Sequence, residues 1–326
     1  MNKELMGALD ELEREKNISK ETLLDAIEQS LIQAYKNHFG KADNVHVTIN
    51  RETGDFSVYA DRRVVEFVED PAEEVSLVEA QKQNTNAEVG DILKVPVHSD
   101  KFGRIATQNA KNVILQKIRE EERKVLFDQY HGNEKEVVTG IVQRVVGHNV
   151  SVNLGKADAI LAENEQVKGE TFKPTERIKV YILEVKDTPK GPRILVSRTH
   201  PGLVKRLFES EVAEVKDGTV EIKSIAREAG SRTKLAVWSN DPDVDPVGAC
   251  VGVNGARVSA IVNELRGEKI DIINWDENPA ILIENALSPA KVIAVMADPD
   301  EKTALVVVPD YQLSLAIGKE GQNARL

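Results

Sequence analysis

Apolar residues of the first forty positions recur at helical spacing, over residues 2–16 and 19–38. In the second stretch Leu23, Leu24, Ile27, Leu31, Ile32 and Tyr35 fall on one face. Ser19 suits its N-cap, Glu21 favours the positive end of the helix, and Gly40 is the expected stop. The period then changes to two. Val45, Val47 and Ile49 alternate with polar residues, 51–55 make a turn, and Phe56, Val58 and Tyr59 begin a return strand toward Phe67, which predicts a hairpin. A short acidic helix is expected from Ser76 to Lys82 and a strand from Ile92 to Val97. From Arg104 to Tyr130 the pattern is one long helix. Its apolar stripe is Val113, Ile114, Ile118, Val125 and Leu126, and Lys111, Lys117, Arg119, Arg123 and Lys124 form a basic side that reads as a solvated face. His131 and Gly132 end it, which bounds a first domain at 1–130.

Residues 134–199 lose the helical period and become short strands at regular spacing. They are expected at Val137–Val146, Val150–Leu154, Ala157–Ala162, Ile178–Lys186 and Arg193–Arg198, with turns at Gly147, at Gly155 and over 187–192. Five short strands in one compact segment suit a small closed barrel of the OB type, a second domain over 131–200.

Beyond 200 the pattern is written twice. The first unit reads helix (Leu203–Val212), strands (Val220–Ala226, Lys234–Trp238) and an apolar helix through Val247 and Cys250. Gly252-Val253-Asn254-Gly255 follows, then a helix (Arg257–Leu265) and a strand (Lys269–Asn274). The second reads helix (Ala280–Leu287), strands (Lys291–Ala297, Thr303–Val308), helix (Leu313–Ile317) and Gly318-Lys319-Glu320-Gly321. The two Gly-x-x-Gly turns stand 66 residues apart at the same place in the same order of elements. This is an αββααβ unit over 201–276 and its copy over 277–326, and the copy is expected to be incomplete because the sequence stops inside its last helix. The expected class is thus multi-domain α+β.

Composition narrows the chemistry. Apolar residues are 41% of the 326 and aromatics only 4%, so cores must be aliphatic. The net charge of −11 argues against a nucleic-acid partner until its distribution is read: residues 1–100 sum to −10, residues 101–200 to +5 and residues 201–326 to −6, so the acid is concentrated at the N-terminus and local basic surface remains possible further on. The single cysteine, Cys250, excludes an intramolecular disulfide and lies in an apolar stretch, where it reads as a small buried hydrophobe. The charged N-terminus has no signal core and no run approaches the roughly 18 apolar residues of a membrane span, so a cytoplasmic protein with no membrane partner is expected. Enzyme signatures are missing: there is no phosphate loop of the Gly-x-x-x-x-Gly-Lys type, and the six histidines have no metal spacing. The run Asp241–Pro246 begins like a calcium loop but has Pro246 where that loop needs glycine, so its expected role is to cap the next helix. No catalytic residue, cofactor or metal is expected.

One Gly-x-x-Gly is an ordinary helix–helix turn; two, each ending an apolar helix and opening another in a unit with its own strands, resemble tandem type II KH domains. In such domains the glycines let backbone approach nucleic-acid phosphates and an adjoining groove holds about four unpaired nucleotides. The candidate RNA-binding residues are Gly252, Val253, Asn254, Gly255 and Arg257 in the first unit. Gly318, Lys319, Glu320, Gly321 and Arg325 are their counterparts in the second. Only the second turn contains a cation, so Arg227, Arg232 and Lys234 are added from the first unit's sheet. OB-type RNA binders stack bases on aromatics of strands two and three, and here those strands have none. His148, Phe172 and Tyr181 remain, with Tyr181 equally a core residue. Arg144, His148, Lys156, Lys179, Arg193 and Arg198 are the candidate barrel contacts, and a structural barrel is as well supported as an RNA-binding one.

The order acidic head, long helix, barrel, KH, KH resembles the NusA family of bacterial transcription elongation and termination factors along the whole chain. The likeness is carried by 197–203, 220–234, 238–252 and the head segment 101–106. It implies a non-enzymatic protein, expected to be a monomer, that binds RNA polymerase through residues 1–130. It also implies contact of barrel and KH units with nascent single-stranded RNA, and action with other elongation and antitermination factors on pausing, termination and read-through. Two departures stand out: the first turn has Val253-Asn254 where relatives often carry a basic residue, and the sequence ends at Leu326, before the last helix and strand expected of the second KH unit; the partners of the acidic C-terminal repeats of some relatives are not carried over. A ribosome- or RNA-processing-associated KH/OB protein is the alternative, since barrel plus KH also occurs in phosphorolytic enzymes; those need a large catalytic domain that the acidic head is too small to supply.

Overall fold

A computed structural model describes residues 2–16, 18–39, 44–96 and 100–326. They form two compact units, Met1–Val125 and Leu126–Leu326.

In the first unit α1 (Asn2–Lys16) and α2 (Lys20–Phe39) pack on a hairpin of β1 (Val45–Ile49) and β2 (Phe56–Val65). Ser19 caps α2, its hydroxyl accepting from the Thr22 amide at 3.4 Å; the expected stop at Gly40 lies outside the described residues, as does Val97. The hairpin register pairs Val45 with Ala60 and Ile49 with Phe56. Its alternation sends Val45, Val47 and Ile49 inward against Leu9, Leu23, Leu24, Ile27 and Leu31. A smaller core of Val64, Val75, Ala80, Ala87 and Val95 lies under β3 (Glu74–Ser76), α3 (Leu77–Gln83) and β4 (Ile92–Pro96). Ser76 caps α3 through the Glu79 amide.

The long helix α4 runs Asp100–His131. Its expected single stripe is divided: Val113, Ile114 and Ile118 pack on the first unit's core, while Leu126, Phe127 and Tyr130 pack into the core of the second. Val125, assigned to the stripe from its spacing, is instead 62% exposed.

The second unit opens with a closed barrel. β5 (Val137–Val146), β6 (Asn149–Asn153), β7 (Asp158–Leu161), β9 (Arg193–Ser197) and β8 (Arg177–Lys186) follow one another around it, with β7 and β9 parallel at the closure. Val142, Val150, Val152, Leu161, Val180 and Ile194 fill it, an aliphatic core of the kind the composition demands.

The first αββααβ unit comprises α5 (Pro201–Glu211), α6 (Ala213–Lys216), β10 (Val220–Glu228), β11 (Arg232–Ser239), α7 (Pro246–Val251), α8 (Ala256–Glu264) and β12 (Lys269–Asn274). The sheet order is β10-β11-β12, with β11 and β12 parallel. The second unit holds α9 (Pro279–Leu287), β13 (Ala294–Asp298), β14 (Thr303–Val307), α10 (Asp310–Ile317) and α11 (Gln322–Arg325). Three helices start with the same device, a capping side chain followed by proline: His200-Pro201, Asp245-Pro246 and Asn278-Pro279. Proline has no amide to leave unpaired at that position and its fixed φ is already helical. The acidic run therefore does cap the next helix, through Asp245; no group of three or more metal-ligating side chains is present among the described residues.

Ionic anchors join the parts of this unit. Arg198, just after β9, is 1% exposed and pairs with Glu170 at 2.6 Å; it also donates to the Lys179 carbonyl of the barrel and the Glu264 carbonyl at the end of α8. Arg227 pairs at 2.8 Å with Glu268, a carboxylate that also accepts from Thr233 and the Gly230 amide. Lys234 reaches from β11 to the Ala286 carbonyl in the last turn of α9, joining the two αββααβ units.

Candidate nucleic-acid interface

The two glycine turns are built alike. Gly252 and Gly318 end α7 and α10 at φ 76°, ψ 173° and φ 77°, ψ 170°. Asn254 and Glu320 sit at φ 51° and 55°, and Gly255 and Gly321 at φ 75° in both turns. The left-handed region is costly for a residue with a Cβ, so glycine at the first and last places is a geometric demand. A second demand is steric: a Cβ on Gly252 would come within 2.7 Å of Arg257 Cγ, and one on Gly318 within 2.8 Å of the Asn323 backbone nitrogen. The turn thus brings bare backbone to the surface at the start of the following helix, the arrangement suited to an approaching phosphate.

The side chains in the turns differ. Val253 is 84% exposed, and Asn254 beside it is exposed and neutral. Lys319 is exposed and has no ion-pair partner among the described residues. Arg325 pairs with Glu228 at 2.7 Å, donates to the Glu320 carbonyl, and has its guanidinium held further toward the charged form by that carboxylate. Gln322 bonds Glu228 and Ser231, so the second turn is fastened to the β10–β11 turn of the first unit.

Several residues expected at RNA by their charge have that charge engaged within the protein. Arg198 and Arg227 are buried in the ion pairs described above, and their carboxylate partners neutralise them. Lys234 is 4% exposed; burial lowers its pKa, and its ammonium serves the α9 carbonyl. Arg232 is committed to Asp271 at 2.6 Å, and Arg257 to Glu214 at 2.9 Å and the Ala249 carbonyl at 2.7 Å. On the barrel Arg144, Lys156 and Arg193 are exposed, His148 stands near Glu163 at 3.6 Å, and Lys179 lies 3.8 Å from Glu211. Tyr181 is 7% exposed and stacks on His200 at 4.6 Å, in the core of the first αββααβ unit; Phe172 lies under Arg266. Neither is a free stacking surface. Cys250 is buried, which pushes its thiol up to about 11 and makes it unreactive.

An aromatic pair was not anticipated. Trp238 and Trp275, the chain's two tryptophans, meet edge to face at 5.8 Å, with Lys223 5.5 Å above the Trp275 ring. They line a groove with Pro242, Val244 and Pro246, rimmed by Asp241 and Asp276. No alternation marked it in the sequence: β11 is buried without a break from Thr233 to Val237, and Trp238, 43% exposed, is the first residue to turn outward after that run.

Family profiles match along nearly the whole chain. They are the NusA N-terminal domain over residues 4–124, the S1 RNA binding domain over 132–197, the NusA-like first KH domain over 198–275 and the NusA-like second KH domain over 279–326. A protein of Bacillus subtilis (strain 168) named transcription termination/antitermination protein NusA is 56% identical over 326 residues, covering all of this chain and 88% of the relative. Proteins of the same name from Halalkalibacterium halodurans and Thermus thermophilus are 54% and 42% identical, across all of this chain and 85% and 87% of theirs. With its barrel, its paired glycine turns and these likenesses over its full length, the chain belongs to the NusA family.

Proposed function

We propose that this protein is a transcription termination/antitermination factor that holds nascent single-stranded RNA on residues 131–326 and RNA polymerase on residues 1–130. It works in the cytoplasm as a monomer, with other elongation and antitermination factors, and without catalysis of its own. The observation that carries the RNA half is the pair of matching glycine turns, which set backbone rather than side chains against the ligand. Binding of that kind reads unstacked strands, since in a duplex the Watson–Crick edges are already occupied by pairing. The polymerase half is supported by the match of residues 4–124 to the NusA N-terminal domain, the part of the chain set apart from the RNA-binding domains. Such a factor does its work by binding one state of a polymerase–RNA complex more tightly than another. Titrating single-stranded and duplex RNA against the parent, Gly252→Asp/Gly255→Asp and Gly318→Asp/Gly321→Asp tests the RNA half. Carboxylates placed where phosphates approach should weaken single-strand binding at either turn. Folded variants of both turns that bind like the parent would show the repeat to be only a scaffold.

A further inference from the structure

Arg257 is the cation nearest in sequence to the first glycine turn, yet it is paired within the protein, its side chain 34% exposed. Its stem packs on the bare face of Gly252, and its Nη1 donates to the carbonyl of Ala249, three residues before that glycine, and to Glu214 on α6. The second turn repeats the tie with different chemistry. Asn323 stands five residues after Gly318, as Arg257 stands five after Gly252. It packs on Gly318 and its Nδ2 donates at 3.5 Å to the carbonyl of Leu315, again three residues before the glycine. A helix that ends in a left-handed turn leaves its last carbonyls without intrahelical donors. In both copies the side chain that opens the next helix supplies one.

We propose that Arg257 and Asn323 are positioning residues: each clamps the end of the helix before its glycine turn to the start of the helix after it, and so fixes the backbone that receives phosphate. Arg257 contributes no charge to RNA, because Glu214 neutralises it. A neutral side chain does the same work at the second turn, so the tie and not the cation is the common element. The first turn then grips by backbone alone, and the exposed ammonium of Lys319 gives the second a direct phosphate contact. The inference rests on the turns being the RNA-binding elements.

The test is affinity for a single-stranded oligonucleotide at several potassium chloride concentrations, for the parent, Gly255→Asp, Arg257→Ala and Arg257→Asn. Gly255→Asp puts a carboxylate in the turn without touching Arg257, since a Cβ there meets only Ser259 and Val258 at 3.9 Å. Loss of binding in Gly255→Asp supports the turn as the site; if it binds as the parent does, the underlying reading fails, whatever Arg257 does. Given that loss, Arg257→Asn, which carries the second turn's donor, should stay within about twofold of the parent. Arg257→Ala should bind about tenfold more weakly with the same salt dependence. Were Arg257 a phosphate ligand, both variants would weaken alike and the slope of log affinity on log salt would shrink by about 0.7, the value for one contact on a single strand; that result overturns the proposal, as does an Arg257→Ala variant that binds like the parent. Both tryptophans lie in this αββααβ unit, so their fluorescence reports its folding in each variant. If Arg257→Ala does not fold, Arg257→Asn decides the matter: parent-like affinity and slope support the clamp, and weaker binding with a shallower slope refutes it.

Discussion

At the scale of single residues, exposure decides which charges can act on a ligand. Lys319 stands exposed in the second turn, whereas Asn254 at the first carries no charge. Lys319→Ala should therefore weaken single-strand binding and reduce the salt slope by about 0.7, while Asn254→Ala leaves the slope unchanged. Titration across salt concentrations checks both. Arg198 makes the opposite case. It is 1% exposed among Glu170, Glu264 and two backbone carbonyls; burial alone would lower its pKa, but the Glu170 and Glu264 carboxylates outweigh that and raise it. Arg198→Ala leaves the buried Glu170 carboxylate with only the more distant Arg266, at 3.7 Å, and the expected cost is about 3 kcal/mol of stability, the low end for breaking a buried pair, read as a lower denaturant midpoint. Arg198→Met with Glu170→Leu should recover much of it, since replacing both charges removes the unpaired one.

Elements here are held by their ends. The β10–β11 turn illustrates it: Glu268 collects Arg227, Thr233 and the Gly230 amide around one buried carboxylate. Burial would raise the pKa of that carboxyl, yet those donors prevail and hold it below its ordinary value. A depressed pKa in the folded state means stability that is present above the unfolded carboxylate value, about 4.3, and lost as pH falls through the folded one. Acid unfolding followed by tryptophan fluorescence should show the first αββααβ unit losing stability below that range. Glu268→Gln should flatten this dependence and lower stability at neutral pH, since the amide no longer neutralises Arg227. A profile unchanged by the substitution would count against this account.

Over the whole molecule the long helix matters most, because its sequence serves two cores. Leu126, Phe127 and Tyr130 belong to the barrel, and the Tyr130 hydroxyl donates to the Leu154 carbonyl at 3.1 Å. A chain starting at Leu126 should lose polymerase association in a pull-down and keep single-strand binding. One starting at His131 sacrifices these packed side chains, and deleting a single large buried aromatic already costs roughly 3–5 kcal/mol. Its barrel should melt measurably lower by circular dichroism. Polymerase capture by either shortened chain at the parent's level would refute the division of labour.

Periodicity and punctuation carried the architecture. The change from helical to alternating spacing at Val45, the five short strands from Val137 to Ser197 and the two Gly-x-x-Gly turns could be read without coordinates, because local backbone preference and burial face are written residue by residue. The short helix α6 could not be, and with it went Glu214, the partner that neutralises Arg257. Charge misled at Arg198, Arg227 and Lys234: a basic residue next to a motif looks alike in sequence whether it faces water or a buried carboxylate. Only the folded chain brings Arg198 to Glu264 across 66 positions, or Arg227 to Glu268 across 41. The chain alone therefore determined the long helices, the paired strands and the glycine turns, since those follow from neighbours in sequence, but not short elements such as α6. Tertiary structure decided which cations remain free for a ligand, since that depends on partners far along the chain.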